Sequence, residues 1–536
     1  MDRRNFVKLG LLLGAAGSIE ADATTPAAAA GRAHLDSLIE ADATQLQALM
    51  TSGKISAQTL TEHYIERIKS IDRSGPHLNS VIELNPDALA IAAALDHERK
   101  LSGARGPLHG IPVLIKDNIA TADNMQTTAG SLALVGAKAP RDAFLVRQLR
   151  AAGAIILGKT NLSEWANMRS SRSTSGWSGR GGLTRNPYAL DRNCSGSSSG
   201  SAAAMAASLA TLAVGSETDG SIVSPASLCS LVGLKPTLGL ISRDGIVPIS
   251  HSQDTAGPMT RTVTDAALLL TVLAGVDARD AATANTKQHA TDYTHFLDKN
   301  GLKGARIGIV RNAMSSNLRQ QVIVDAAIEV LRQQGAILID VEIPNITKYA
   351  DSELEVLLYE LKADLNNYLA EFGHGSAVSS LADVIAFNEK NRAKEMPYFD
   401  QELLIKGQAK GDLTSADYLA ALENNHRYSR TEGIDQIMQQ HQLDALFAST
   451  GGPAWITDYI NGDHIVDSFS TPAAVAGYPH ITVPAGFFGG LPVGVSFTAG
   501  AYAEGMIIKL AYAYEQASKQ RKPPTYLAYS LAVAPT

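Results

Sequence analysis

Cysteine is scarce in this sequence of 536 residues, which contains only Cys194 and Cys229. Two thiols cannot form a disulfide framework or a four-thiolate zinc site, and none of the 13 histidines lies in an H-E-x-x-H pattern. The sequence therefore predicts no metal and no other cofactor. We expect both cysteines to be buried structural residues, although they would be able to pair in an exported protein.

Basic clusters and long hydrophobic runs are also missing. Lysine and arginine number 46 against 53 acidic residues, which gives a net charge of −7, and no long basic run is present. This balance argues against a nucleic acid partner, because such proteins carry basic patches. The apolar run at residues 9–17 is too short for a bilayer, which needs about 20 residues, so we expect no membrane anchor after processing.

The N-terminus has the order of an export signal. Arg3 and Arg4 precede the short apolar run, and small residues follow it. This pattern resembles a twin-arginine signal. We expect residues 1–31 to form the signal peptide, with cleavage after Ala23 or within the alanine run at 27–30, and the mature protein to be periplasmic or secreted. A chance basic N-terminus is the alternative.

The rest of the chain is rich in core-forming residues, since 45% are hydrophobic and 18% charged. Apolar residues at three- and four-residue steps from Leu60 to Ile71, with Ser56 as a cap, predict an amphipathic helix. A buried strand is predicted at 111–115, ending at Lys116. A buried helix is predicted from Ala202 to Ala213, and mainly helices at about 350–430. Strand, helix and strand alternate between ARIGIVR and ILIDVEI, which favours an α/β sheet.

Two short motifs have competing interpretations. Residues 153–160, GAIILGKT, match the phosphate-binding P-loop pattern, but residues 154–157 form an apolar run that must be buried, which argues against nucleotide binding. Residues 196–200, GSSSG, match the G-x-S-x-G nucleophile elbow, which would make Ser198 the attacking residue.

A second serine cluster, GSETDGSIVSPAS, occupies residues 215–227. Small and polar residues lead to Gly220 and Ser221, and an apolar pair and Pro225 follow. Such a segment can direct successive backbone N–H groups to one point, as stabilising an oxyanion requires. A Gly/Ser turn is usually only a turn, so this cluster alone decides nothing.

The joint pattern is more specific. GPLHGIPVLIKDNI, GKTNLSEWAN, GSSSGSAAA, GSETDGS, GLKPT and SQDTAGPMTRT occur in the chain, with Lys116 upstream of both serine clusters. Together they resemble the amidase signature family, and its bacterial peptide amidases most closely, from about residue 35 to the GYPHITVPAGFF region. The resemblance implies a single large α/β domain over residues 32–536, with a central mixed β-sheet flanked by many helices. A monomer is favoured, but no sequence feature decides the oligomeric state.

The resemblance also implies site roles, carried over residue by residue. Ser221 is the nucleophile, Ser197 is a bridging serine 24 positions earlier that follows a cis peptide bond, and Lys116 is the base. Ser198 is then not the nucleophile. The oxyanion hole is expected to consist of the backbone N–H groups of Thr218, Asp219 and Gly220, with Ser221 as a further candidate. Burial at a strand end would lower the pKa of Lys116 and allow it to accept a proton.

The expected substrate is the C-terminal carboxamide of a peptide, which is hydrolysed to the free acid and ammonia through an acyl-enzyme. Two departures from the common family pattern bear on this expectation: Asp219 replaces a glycine, and Val223 replaces an arginine that would suit a carboxylate. Asp219 either repels carboxylates or only occupies a turn conformation that aspartate tolerates. The alternatives are a broader amidase for small aromatic or aliphatic amides, a component of a transamidase that works on charged tRNA, and a periplasmic solute-binding protein.

Other polar and aromatic residues have mainly structural interpretations. We expect the histidines at 109, 251 and 480 to be structural, because a lysine base makes a Ser-His-Asp triad unnecessary. Glu164 and Asp254 are expected to hold loops by hydrogen bonds. Three aromatic residues are candidates for either a substrate cleft or core packing: Trp165, Tyr188 and Trp455.

Overall fold

The structure is a computed structural model that describes residues 38–530. The predicted signal peptide at 1–31 lies outside these residues. The chain divides into the units Met1–Ala41 and Asp42–Thr536. In the first unit, residues 38–40 form a turn. The second unit holds every element described below.

Eleven of the strands within residues 38–530 form one mixed sheet, in the order β1-β3-β2-β6-β8-β7-β12-β13-β11-β9-β10. The other two, β4 and β5, pair separately. The strands are β1 Val81–Leu84, β2 Pro112–Lys116, β3 Ile155–Thr160, β4 Trp177–Ser178, β5 Gly182–Leu183, β6 Leu212–Glu217, β7 Val232–Lys235, β8 Thr255–Thr260, β9 Arg306–Val310, β10 Ile337–Val341, β11 Ala445–Ser449, β12 His480–Phe488 and β13 Leu491–Thr498.

Helices flank this sheet, as the predicted α/β class requires. The α-helices of the described residues are Ala43–Thr51, Ala57–Arg67, Ala88–Ser102, Phe144–Ala151, Ser199–Ala206, Val223–Leu228, Val263–Leu273, Thr286–His289, Leu318–Gln333, Ala350–Phe372, Leu381–Lys390, Arg392–Glu395, Glu402–Gln408, Ala416–His426, Asp435–His441, Ser470–Ala476 and Glu504–Ser518. Among them, none combines the length and the apolar character needed to cross a membrane.

The predicted amphipathic helix is present as Ala57–Arg67. Ser56 caps it, because its hydroxyl accepts a hydrogen bond from the Thr59 N–H at 3.0 Å. Leu60 and Tyr64 face the core and are fully or almost fully buried. The spacing of the apolar residues therefore identified the buried face correctly.

Three parallel strands bring the functional segments together. β2 pairs in parallel with both β3 and β6, so the carboxyl ends of all three strands lie at one edge of the sheet. Lys116 ends β2, and Glu217 ends β6. The P-loop-like residues 155–160 form β3 and are buried, which confirms that they are not an exposed phosphate loop.

The helix predicted from Ala202 to Ala213 is wrong in its bounds. The observed helix is Ser199–Ala206, and residues 212–213 already belong to β6. Ser208 has a φ of 53°, a left-handed conformation that ends the helical path. A continuous run of small apolar residues does not distinguish a buried helix from the start of a buried strand.

Candidate active site

Lys116 is buried at the carboxyl end of β2 and has no accessible surface. Its Nζ donates hydrogen bonds to Ser197 Oγ at 2.7 Å, to Ser216 Oγ at 3.0 Å and to the Ser216 carbonyl at 3.1 Å. All three acceptors are neutral oxygens. The lysine therefore has hydrogen-bond partners without a carboxylate in direct contact.

The pKa of Lys116 falls to about 7, because burial disfavours the ammonium form. The negative charges of Asp254 and Glu217 oppose this decrease but do not cancel it. A large fraction of the lysine is therefore neutral at neutral pH, and a neutral amine can accept a proton from Ser197.

The two neighbouring serines of the first cluster have different surroundings. Ser197 is fully buried beside Lys116, and the Gly196–Ser197 peptide bond is cis, as the resemblance implies. Ser198 is also fully buried, and its Oγ donates to the Ser216 carbonyl at 3.1 Å and accepts from the Ser216 N–H at 3.2 Å. These hydrogen bonds hold Ser198 within the protein, which argues against the nucleophile-elbow interpretation.

Ser221 lies in the wall of an open cavity of about 290 Å³. Ser221 lies in the loop that follows β6, which ends at Glu217, and 7% of its surface remains exposed. Within residues 38–530, Ser221 Oγ makes no hydrogen bond, so nothing on the protein blocks the hydroxyl. Its backbone carbonyl accepts from the Ser198 N–H at 3.1 Å, which ties the two serine segments together.

The backbone before Ser221 presents free donors. Among the described residues, the N–H groups of residues 218–221 donate to no backbone or side-chain acceptor. The next two N–H groups, of Ile222 and Val223, donate to Glu217 Oε2 at 2.7 and 3.0 Å. Glu217 thus holds the end of the loop by two hydrogen bonds, and the four N–H groups before it lie beside the cavity. This arrangement suits the stabilisation of an oxyanion.

The left-handed residue of this loop is Gly220, with a φ of 76°, whereas Asp219 is not left-handed. The turn-conformation explanation for Asp219 is therefore wrong. Instead, Asp219 lines the cavity, and its Oδ2 accepts a hydrogen bond from Thr471 Oγ1 at 2.6 Å. A Cβ atom on Gly220 would lie 2.9 Å from Ser470 Oγ, so a larger residue there would have to displace that side chain.

Asp254 holds the loop from the other side, as predicted. Its carboxylate accepts from Thr218 Oγ1 at 2.6 Å and from the N–H groups of Ile249 and Ser250 at 2.8 and 2.9 Å. Burial raises its pKa to about 6. Glu164 is likewise a structural acceptor, since it bonds the Gly179 N–H at 2.6 Å and Arg169 at 2.5 Å.

The other candidates lie away from Ser221. The cavity wall contains none of the three histidines and none of the three aromatic candidates. Two of the histidines have protein partners: His109 contacts the Leu95 carbonyl at 2.9 Å, and His251 contacts Asp364 at 2.9 Å. His480 is fully buried and its pKa falls to about 3, so it stays neutral. The aromatic candidates and both free cysteines are buried.

Comparison with known proteins identifies the family. The Amidase family model matches residues 59–508, which is most of the chain. The chain belongs to the amidase family. The chain is similar to the solved structure of the native peptide amidase from Stenotrophomonas maltophilia, with a TM-score of 0.88. The two sequences are 51% identical, and the match covers 91% of this chain and 99% of that one.

Curated relatives give a broader picture. An Arabidopsis thaliana protein named a probable amidase is 42% identical over 503 residues, covering 92% of this amidase and 93% of the relative. A component of the glutamyl-tRNA(Gln) amidotransferase from Halorhodospira halophila is 35% identical, covering 89% and 97%. The family and the hydrolase class are therefore shown, whereas the names of the curated relatives differ.

Several residues of the amidase site are not apparent from the sequence alone. Ser216 and Glu217 lie within the second serine cluster, so their proximity to Ser221 was a usable signal. Gln253, Glu353 and Thr471 come from distant segments that meet the loop only in the fold. Nothing in their local sequence indicates these contacts.

Proposed function

We propose that this amidase hydrolyses the C-terminal carboxamide of peptides to the free acid and ammonia, using Ser221, Ser197 and Lys116 as one catalytic unit. The observation that carries the proposal is the buried Lys116 amine, 2.7 Å from Ser197 Oγ, beside a cavity in which Ser221 has a free hydroxyl.

In the first half-reaction, Ser221 Oγ attacks the carboxamide carbon. Its proton passes to Ser197, whose own proton passes to neutral Lys116. The free N–H groups of residues 218–221 receive the oxyanion, the C–N bond breaks, and the nitrogen leaves as ammonia after taking up the proton. Water then attacks the acyl-enzyme and loses a proton along the same path, which regenerates the serine. Ser221 must approach Ser197 during this cycle, because no hydrogen bond joins their hydroxyls within residues 38–530.

The cavity favours an uncharged substrate end. Asp219 lies in its wall close to Ser221, and no lysine or arginine of residues 38–530 lines the cavity. A negative charge beside the acyl group disfavours a carboxylate, which is both the free-acid form of the substrate and the product. The wall also includes the apolar residues Met168, Ile249 and Leu357, which suit the side chains of a peptide.

Ammonia release from a substrate panel tests the specificity. The panel contains a peptide amide, small aromatic and aliphatic amides, and peptides with side-chain amides. We expect rapid release from the peptide amide, no cleavage of internal peptide bonds, and no release from asparagine or glutamine side chains. Faster turnover of small amides would favour the broader amidase instead. Turnover of any amide would exclude a solute-binding protein.

A serine-directed fluorophosphonate tests the nucleophile. It should label one residue, and mass mapping should find the adduct on Ser221. Ser221→Ala should abolish both labelling and turnover, while Ser198→Ala should still be labelled. An adduct on Ser198 would contradict the proposed mechanism.

A further inference from the structure

Glu353 lies behind the cavity wall on the helix Ala350–Phe372 and is only 9% exposed. Its Oε1 accepts a hydrogen bond from Gln253 Nε2 at 2.9 Å. The same Gln253 nitrogen donates to the Thr218 carbonyl at 3.3 Å. Gln253 therefore joins the helix of Glu353 to the loop that carries the free N–H groups.

Asp219 is the next residue of that loop, and its two oxygens differ. Oδ2 accepts from Thr471, whereas Oδ1 is buried and makes no hydrogen bond of good geometry among the residues that the structure describes; the Ser470 hydroxyl lies near the carboxylate and is the competing donor. Burial raises the pKa of Asp219, and it raises that of Glu353 well above its ordinary value. The neighbouring charge of Asp219 raises the pKa of Glu353 further, because the two carboxyl groups adjoin each other. Two adjoining buried carboxyl groups cannot both ionise at neutral pH, so the pair keeps one proton.

We propose that Glu353 is a positioning residue: its carboxylic acid donates a hydrogen bond to Asp219 Oδ1 and thereby fixes the loop of free N–H groups beside Ser221. Neutral Glu353 leaves the pair with a single negative charge, on Asp219. This inference rests on the proposed function, because it gives the loop its role in binding the oxyanion.

Three other titratable groups face the pair. Tyr349, the residue just before the same helix, has a buried hydroxyl without a partner in the described part of the chain, and burial raises its pKa, so it stays neutral. Lys235 at the end of β7 attracts Asp219, and its pKa falls to about 8 because it is buried. Glu217 at the end of β6 faces Lys235; burial raises the pKa of Glu217, and the charge of Lys235 opposes that increase. Lys235 is therefore the competing source of any alkaline transition.

The pH dependence of turnover separates these groups. When the pair loses its proton, two buried negative charges repel each other and the loop shifts, so kcat should fall at alkaline pH. In Glu353→Gln the amide donates at every pH, and the alkaline fall should disappear while kcat at about pH 8 stays within threefold of the wild type. In Glu353→Ala the donor is lost, and kcat should fall about tenfold across the pH range with little change in KM, as for one missing hydrogen bond.

Glu355→Gln is the matched control, because Glu355 lies on the same helix and pairs with Lys410 on the surface. Its profile should equal that of the wild type. An alkaline fall that persists unchanged in Glu353→Gln would assign the transition to Lys235 and overturn the proposal. A wild-type profile without an alkaline fall up to about pH 10 would also overturn it.

Fluorophosphonate labelling of Ser221 in the wild type and in Glu353→Gln reports the proposed nucleophile independently, so failure of the catalytic assignment is distinguishable from failure of this proposal. The infrared band of a protonated carboxyl group should be weaker in Glu353→Gln at about pH 8, and identical spectra would also overturn the proposal.

Discussion

Lys116 shows how burial at a strand end lowers the pKa of a lysine. The side chain is completely buried, and its hydrogen-bond acceptors are hydroxyl and carbonyl oxygens. Ion pairing with a carboxylate would have kept the ammonium form. Desolvation is therefore the dominant influence on its pKa, which lies at about 7 instead of near 10.5.

The pH dependence of kcat/KM follows from this shift. The rate should rise with pH as Lys116 of the substrate-free enzyme loses its proton, with an apparent pKa of about 7, because the neutral amine is the form that accepts a proton.

Lys116→Arg should be inactive across the pH range, since arginine stays protonated. Lys116→Ala should lose about 10²–10⁴-fold, and combining it with Ser197→Ala should add little, because the residues act as one unit. A flat profile from about pH 5.5 to 8.5, with circular dichroism showing an intact fold, would contradict this role.

Glu217 shapes the backbone around the nucleophile without touching substrate. Glu217→Ala removes the acceptor of the Ile222 and Val223 N–H groups in a buried environment, so we expect a loss of about 2 kcal/mol in the free energy of unfolding and a large decrease in kcat. Glu217→Gln keeps a carbonyl acceptor and should retain more of both. Urea unfolding and kinetics on the two variants provide the measurement. Equal stability of Glu217→Ala and the wild type would contradict the role.

At the scale of elements, the short helix Ser199–Ala206 approaches its neighbours very closely. A Cβ atom on Gly200 would lie 2.4 Å from the carbonyl oxygens of both Asn161 and Ser80, which are backbone atoms that cannot easily move. Gly200→Ala should therefore lower the free energy of unfolding by about 1–3 kcal/mol. Gly106→Ala is the control, since nothing lies within 4 Å of its Cβ position. Urea unfolding midpoints compare the two, and a smaller decrease at Gly200 than at Gly106 would contradict the packing argument.

Individual residues and elements show what local sequence predicts. The position of Lys116 at a strand end could be read from the apolar run before it, and the cap at Ser56 from its spacing. The start of the helix at Ser199 could not, because serine, glycine and alanine have weak and competing preferences. Contacts such as Gln253 with Glu353 join segments 100 residues apart, and no local pattern encodes them.

At the scale of the whole molecule, the alternation of strands and helices and the family resemblance predicted the α/β class, and the eleven-stranded sheet confirms it. The order of the strands was not predictable. β8 lies between β6 and β7, and β12 pairs with β7 from 245 residues farther along the chain, as in His480 opposite Lys235. Long-range pairing of this kind depends on packing of whole faces and leaves no periodic signal in either strand.

We also propose that the enzyme is exported by a twin-arginine signal. A fusion of residues 1 to about 35 with a folded reporter should reach the periplasm, and changing Arg3 and Arg4 to lysine should block this transport. Cell fractionation provides the measurement. Cytoplasmic retention of the unaltered fusion would refute export, and transport of the double variant would indicate a route for unfolded chains.

The wall of the cavity is assembled from two sets of chain segments. Ser221 comes from the same stretch of the chain, residues 116–221, as the Lys116–Ser197 pair behind it, whereas Ile249, Leu357 and Thr471 of the wall come from later segments. Part of the wall is thus encoded apart from the residues that we propose for the chemistry, while Met168 and Asp219 are encoded beside them. Evolution, or a directed library limited to the later segments, can redesign which amides are accepted while leaving the reactive machinery intact.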